Sequence, residues 1–386
     1  MRRNNGEGSA FHDTKRDRYI YRISFTDPVS CKKNRKAFYS KKSVTEAKAK
    51  ANEFLRNLNT KTTESSPLTL KTFLQRWLVS VESTIKPKTL ERYACILNRN
   101  IYPYEVAQCG LEKLSVSLLQ AHFNQLHETG GKDGKGLAPR SVNATRRLLI
   151  GALDTGIRDD LITKNPAFYT KPMKVEPAEI TVVSHDEAKR LIRCALQRSR
   201  NAWAIITLGF GTGMRISEIF GLEWKNVDLQ NKTIHIEKTV VTTRHGTLVQ
   251  DSTKTKSSRR KILLPDHVCY VLKRLRLWQK VHDIRFGTHY SASPWVLSNP
   301  QGKPRSPSSF SGHDFKQLLD EAGIDRKFRI HDMRHTHATW LLEAGVNVKV
   351  VSERLGHSSI RITLDTYAHV LQTMQQEAVD TLNDIL

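Results

Sequence analysis

Two stretches of this chain read as linkers, and they govern how the rest can fold. Residues 59–67 (NTKTTESSP) are polar, rich in Ser and Thr, and end in proline. Residues 167–180 carry two prolines and little periodicity. Burial of such segments returns too little to offset the entropy of ordering them, so both read as linkers. A chain of 386 residues interrupted twice is therefore expected to fold as three bodies, over residues 1–62, 68–166 and 178–386.

Each body has its own pattern. In the first, the run from Tyr19 to Phe25 alternates as a strand and Arg35 to Ser40 forms a second, with Asp27-Pro28 beginning the turn between. Ser43-Val-Thr-Glu46 reads as a capping box that opens a helix reaching about Asn57. In the second, Leu70, Phe73, Leu74, Trp77 and Leu78 recur at three- and four-residue spacings. Further helices are expected from near Lys88, after Ser115, and from about Pro139 to Ile157, with the flexible run GGKDGKG (130–136) before the last. The third body opens with helices, turns strand-rich over residues 233–264 and returns to helices from about Ser311. The expected fold is multidomain and mainly α with small β elements: a basic sheet with one helix, a helical bundle, and a mixed, mostly α domain with a β-hairpin.

Charge narrows the partner. Sixty-two Lys and Arg face 38 Asp and Glu, a formal +24, and a surface so basic gains affinity for polyanions by releasing their counterions. Nucleic acid is the expected partner. The first 66 residues are the most lopsided, with sixteen Lys and Arg against seven Asp and Glu. Arg140, Arg146 and Arg147 give the last bundle helix a basic stripe. The five cysteines (Cys31, Cys95, Cys109, Cys194 and Cys269) are scattered and form no C-x-x-C pair. That argues against a disulfide framework or a zinc ribbon and fits a reducing cytosol. The first residues show no apolar stretch after their charges, and apolar runs such as residues 203–210 are too short for a bilayer, so a soluble cytoplasmic protein is expected, with no membrane partner.

Four segments of the last body carry chemistry. GFGTGMRISE, from Gly209 to Glu218, spaces its glycines as G-x-G-x-G, which is not a dinucleotide fingerprint. It reads as a glycine turn and a new helix displaying Arg215, with Glu218 three residues on to hold the guanidinium. DSTKTKSSRRKI (251–262) is a basic stretch between strand-like runs and resembles a hairpin tip. In HDMRHTH, His331 and His335 stand at the i, i+4 spacing of zinc ligands, with His357 as a third candidate. Asp332, however, replaces the glutamate that a zinc protease uses as base. The other reading aims His331 and Arg334 at one anion. Last comes LGH, ending at His357, with Tyr367 ten residues later. A phenol with a pKa near 10 attacks at neutral pH only with help from cations and a proton acceptor.

The ordered set GMRISE, TKTKSSRRKI, HDMRHTHAT, LGHSS and TLDTYAHV resembles the signature of the tyrosine recombinases of the phage-integrase type. The helical segment, with TIKPKTLERY and KNPA, is similar to that family's core-binding domain. The N-terminal segment looks like the arm-binding domain, a three-stranded sheet with a helix, of integrases from conjugative transposons and Gram-positive phages. The resemblance implies that Arg215 and Arg334 clamp the scissile phosphate, supported by Glu218. It implies Lys254 as general acid, in the family's Lys-Thr pair, with Lys256 as the other candidate. His331 would accept the tyrosine's proton, His357 would hydrogen-bond the phosphate, and Tyr367 would form a 3′-phosphotyrosyl link. It further implies double-stranded DNA with core-type and arm-type sites, a homotetramer passing through a four-way junction, excisionase or DNA-bending partners, and neither metal nor cofactor. A type IB topoisomerase would use the same residues on one duplex, and a DNA-binding regulator would keep the fold without the chemistry.

Overall fold

A computed structural model describes residues 8–14, 16–26, 33–60, 68–131, 133–176, 180–251 and 259–385. The chain packs as two compact units, the larger holding residues 86–91 and 176–386.

The N-terminal part is an antiparallel meander of β1 (Ser9–Asp13), β2 (Arg18–Thr26) and β3 (Lys33–Ser40), with α1 (Val44–Thr60) against one face. Opposed residues share a face of the sheet. Phe25 and Phe38 both meet Phe54 of α1, at 5.3 and 5.4 Å between ring centres, and mark the covered side. The other side pairs Phe11, Ile20 and Tyr39 in register. There the guanidiniums of Arg18 and Arg22 lie 4.4 Å over Tyr39 and 4.7 Å over Phe11. Only half of the expected capping box forms. The Ser43 hydroxyl accepts from the Glu46 amide at 3.2 Å, whereas the Glu46 carboxylate accepts from the Ser40 hydroxyl.

The bundle comprises α2 (Leu70–Ser80), α3 (Pro87–Asn100), α4 (Val116–Thr129) and α5 (Pro139–Arg158). Thr69 and Ser115 cap α2 and α4 through their hydroxyls. Leu70, Phe73, Leu74 and Trp77 enter one core with Leu97, Phe123, Leu149 and Leu153. Arg146 departs from the basic-stripe reading. Its guanidinium turns back and donates to the carbonyls of Phe168 and Thr170 and to the Thr170 hydroxyl.

In the larger unit, α6 (His185–Arg198) starts at a complete capping box of Ser184 and Glu187. It packs on α7 (Arg200–Thr212), which is buried from Asn201 onward. A helix so enclosed must be apolar all round, as AWAIITLGF is. After α8 (Ile216–Phe220) come β4 (Val227–Asp228), β5 (Thr233–Ile236), β6 (Lys238–Thr243), β7 (Gly246–Asp251) and β8 (Arg260–Leu263). The sheet order is β4-β5-β8, and β6 and β7 form a separate hairpin. Residues 252–258 of the basic stretch, read above as a hairpin tip, fall outside the described residues; of the strands that flank them, β7 and β8 belong to different sheets, and β6 and β7 turn at Arg244-His245.

The 21-residue α9 (Asp266–Phe286) packs against α7. Next, α10 (Pro307–Ser309) passes through one π turn into α11 (Phe315–Glu321). The unit closes with α12 (Asp332–Glu343), α13 (Val348–Leu355) and α14 (Ile360–Ile385). The last of these is broken at Tyr367, whose φ of −114° and ψ of 22° are not helical. Among the described residues no helix is long and apolar enough to cross a membrane.

Candidate active site

Helix ends build the site. The last carbonyls of a helix have no intrahelical donor and lie at the negative end of its dipole, so they suit a cation. Two such ends converge here. α7 stops at Gly213 and α13 at Gly356, both in the left-handed region (φ 65° and 69°) that glycine enters without strain. Arg334, only 4% exposed, bridges them: it donates to the Gly213 carbonyl at 2.8 Å and the Leu355 carbonyl at 2.7 Å. Burial, then the charge of Arg215, pulls its pKa down to about 9, which still leaves it protonated at neutral pH.

Arg215 stands just ahead of α8, as its N-cap, and not within the helix. Its side chain donates to Glu218 at 2.8 Å and to the Gly356 carbonyl at 3.3 Å, and stays 38% exposed. Glu218, 3% exposed, also receives two bonds from Arg260, at 3.1 and 2.8 Å. Burial would raise this carboxyl, but the bonds and charge of Arg260, with Arg215 beside it, win and hold it at about 2. Two guanidiniums, of Arg215 and Arg260, thus share one carboxylate, and the third, of Arg334, is held by neutral carbonyls. Such a centre is preorganised for an anion: unused N–H groups on both arginines can take a phosphate without first breaking an ion pair.

The histidines divide the remaining work. His331 sits at the exposed edge, ahead of α12. His357 has its Nδ1 2.7 Å from the buried Thr363 hydroxyl. Loss of solvation, joined by His335 and the arginines near His331 and by the arginines near His357, puts both at about 4. Both are neutral at pH 7. Tyr367 is 1% exposed, and burial, opposed only by Arg334, pushes its phenol up to about 12. Its hydroxyl lies 2.9 Å from Nδ1 of His335, and no hydrogen bond joins it to His331.

Of the residues singled out in the sequence, Arg215, Glu218, His331, Arg334, His357 and Tyr367 share this one region of the larger unit. Lys254 and Lys256 fall outside the described residues. Two contributors escaped the sequence reading, and a third, His335, entered it only as a zinc-ligand candidate. Arg260 anchors Glu218. Arg354 donates to His337 at 3.1 Å and to the carbonyls of Leu263 and Gly211, both at 3.0 Å, behind the site. His335 touches the tyrosine, and its i+4 spacing from His331 was the available signal. The zinc reading requires His331, His335 and His357 to converge, and among the described residues no group of three or more His, Cys, Asp or Glu side chains is placed to hold a metal ion.

A mostly helical domain thus gathers guanidiniums around a buried tyrosine. Residues 181–374 match the model of the phage integrase family. A tyrosine recombinase XerC-like protein of Caldanaerobacter subterraneus is 30% identical over 96% of this chain and 97% of its own length. The chain belongs to the phage integrase family of tyrosine recombinases, enzymes that cleave and rejoin DNA. The ICEBs1 integrase of Bacillus subtilis is 26% identical over 84% of this chain and 85% of its own. The fold is also that of the Tn1549 transposon integrase, solved with transposon right-end DNA: TM-score 0.66 and 22% identity, over 82% of this chain and 99% of that one.

Proposed function

We propose that the enzyme integrates or excises a mobile element, such as a prophage or conjugative transposon, by a phosphotyrosyl route. The oxygen of Tyr367 attacks the scissile phosphate and remains joined to the 3′ side. Arg215 and Arg334 hold the non-bridging oxygens as charge grows on them, Glu218 fixes Arg215, and His331 and His357 complete the phosphate contacts. Lys254 protonates the departing 5′ oxygen. The covalent link conserves the energy of the broken bond, so a 5′-hydroxyl of the partner strand rejoins it without ATP. Exchange of both strand pairs passes through a four-way junction inside a homotetramer.

The domain ranges enter the proposal as an arm-type module over 1–62, a core-binding domain over 68–166 and a catalytic domain over 178–386. The arm module takes arm-type DNA, the other two take core-type DNA, and excisionase or bending proteins bias the direction. The sheet face bearing Arg18 and Arg22 supports the arm assignment.

The single observation that carries this reading is a buried tyrosine beside guanidiniums held by neutral helix-end carbonyls. In the test, a nicked attachment-site duplex is incubated with enzyme and scored for a denaturation-resistant adduct. Tyr367→Phe is expected to bind DNA as tightly as wild type and form no adduct; an adduct from that variant overturns the assignment.

A further inference from the structure

Tyr367 is protonated at rest, so its proton must go somewhere when it attacks, and the residue in place to receive it is not His331. We propose that His335 is the proton acceptor for Tyr367 and returns the proton when the strand is rejoined. The inference rests on the phosphotyrosyl reading above.

Geometry carries it. The only hydrogen-bond partner of the phenol among the described residues is Nδ1 of His335, at 2.9 Å. A buried hydroxyl without an acceptor for its proton is costly, so the phenol donates and Nδ1 accepts, which puts the ring's own proton on Nε2. That is the tautomer a base needs. His331 lies beyond, its ring perpendicular to that of His335 at 5.0 Å, and faces the exposed edge where a phosphate would lie.

The surroundings of His335 suit the task. Burial lowers its proton affinity, so it is neutral and ready at pH 7, while Asp332 pulls the other way and Arg334 and Arg329 add to the lowering. Asp332 is itself buried and bonded by Arg329 through Nε at 3.2 Å and a terminal nitrogen at 3.0 Å. An imidazolium formed at His335 therefore has a fixed carboxylate one helical turn away to stabilise it.

The step balances. The Tyr367 O–H bond breaks as Nδ1 gains the proton, the phenolate oxygen bonds to phosphorus, and the P–O5′ bond breaks. The 5′ oxygen leaves with a proton from the general acid. In rejoining, the 5′-hydroxyl gives its proton back to that acid and attacks, and the tyrosine oxygen departs with the proton from His335.

His335→Asn separates acceptance from positioning, because the amide can still accept the phenol's hydrogen bond but cannot take its proton. Single-turnover cleavage of the nicked duplex is expected to slow about 100-fold in His335→Asn, within the range of general-base effects, with DNA binding and melting temperature unchanged. The wild-type rate should fall on the acid side as His335 becomes protonated, and the variant should lack that limb. A fluorinated, more acidic tyrosine at position 367 should restore much of the variant's loss. Cleavage by His335→Asn within about threefold of wild type, or faster, overturns the proposal, the latter marking His335 as a restraint on the tyrosine. A slow variant that keeps the acid limb and gains nothing from the acidic phenol overturns it too. An adduct from Tyr367→Phe would instead sink the phosphotyrosyl reading.

Discussion

The molecule holds its arginines in two contrasting ways. In the larger unit, Arg334 and Arg260 are nearly enclosed and bonded to helix-end carbonyls or to Glu218. On the N-terminal sheet, the guanidiniums of Arg18 and Arg22 lie over the rings of Tyr39 and Phe11, that of Arg18 also 3.5 Å from the Asp13 carboxylate. An enclosed cation is locked in one geometry and loses much if a partner goes. A cation resting on an exposed ring gains about 0.5–1 kcal/mol and can still rotate to meet a variable groove. The first arrangement suits the fixed geometry proposed for the phosphate site, the second the adjustable surface proposed for the arm module.

Removing the shared carboxylate should break the contrast most severely. Glu218→Ala leaves Arg215 and Arg260 buried or half-buried without their counter-charge. It is expected to cost about 3–5 kcal/mol in urea unfolding and to abolish cleavage. A loss under about 1 kcal/mol would mean that the enclosed network is no firmer than the sheet face.

Acid should come next. His337 is buried with Nδ1 2.6 Å from the Phe210 carbonyl, and burial, then Arg354, holds it at about 4. Its ordinary value is 6.5. The fold therefore favours the neutral ring, and this stability is complete above pH 6.5 and lost as pH falls toward 4. The shift amounts to about 3 kcal/mol. Glu218, lowered from 4.5 to about 2, adds a second loss of the same sign between those values. Unfolding followed from pH 7 to 3 should show the larger unit weakening in that order, and a flat profile would exclude it.

Gly356→Ala should be milder. A Cβ there would meet the Arg260 guanidinium at 2.9 Å from a left-handed backbone, for a cost of about 1–3 kcal/mol by thermal melting. The smallest effect belongs to the sheet. Arg22→Ala should change stability by less than about 1 kcal/mol, while the slope of log affinity for arm-type DNA against log salt falls by about one. A larger stability loss would show that the two regions differ less than their geometry implies.

Much of this was legible in the sequence because it depends on spacing. The Arg215–Glu218 pair follows from three residues of separation, and the core of the bundle from Leu70, Phe73, Leu74 and Trp77. What was hidden depends on orientation or on the backbone. Arg260 sits in a run of three basic residues, and nothing local says which one turns inward. The partners of Arg334 are carbonyls, which no side-chain pattern encodes. His335 shares a helix face with His331, yet only the ring orientations decide which of them meets the phenol. Strand β1 (SAFHD) has too little alternation to be seen from its own residues, and the arm-domain resemblance alone implied a third strand.

The break in α14 has a mechanical consequence. The eighteen residues after Tyr367 continue as helix to Ile385, a rod of about 27 Å at 1.5 Å per residue. The non-helical residue at its base is Tyr367, proposed above as the nucleophile. On that proposal, a displacement applied far along the rod would reach the tyrosine oxygen scaled down by the ratio of the two arms, so a coarse movement of the tail would become a fine adjustment at the phosphate.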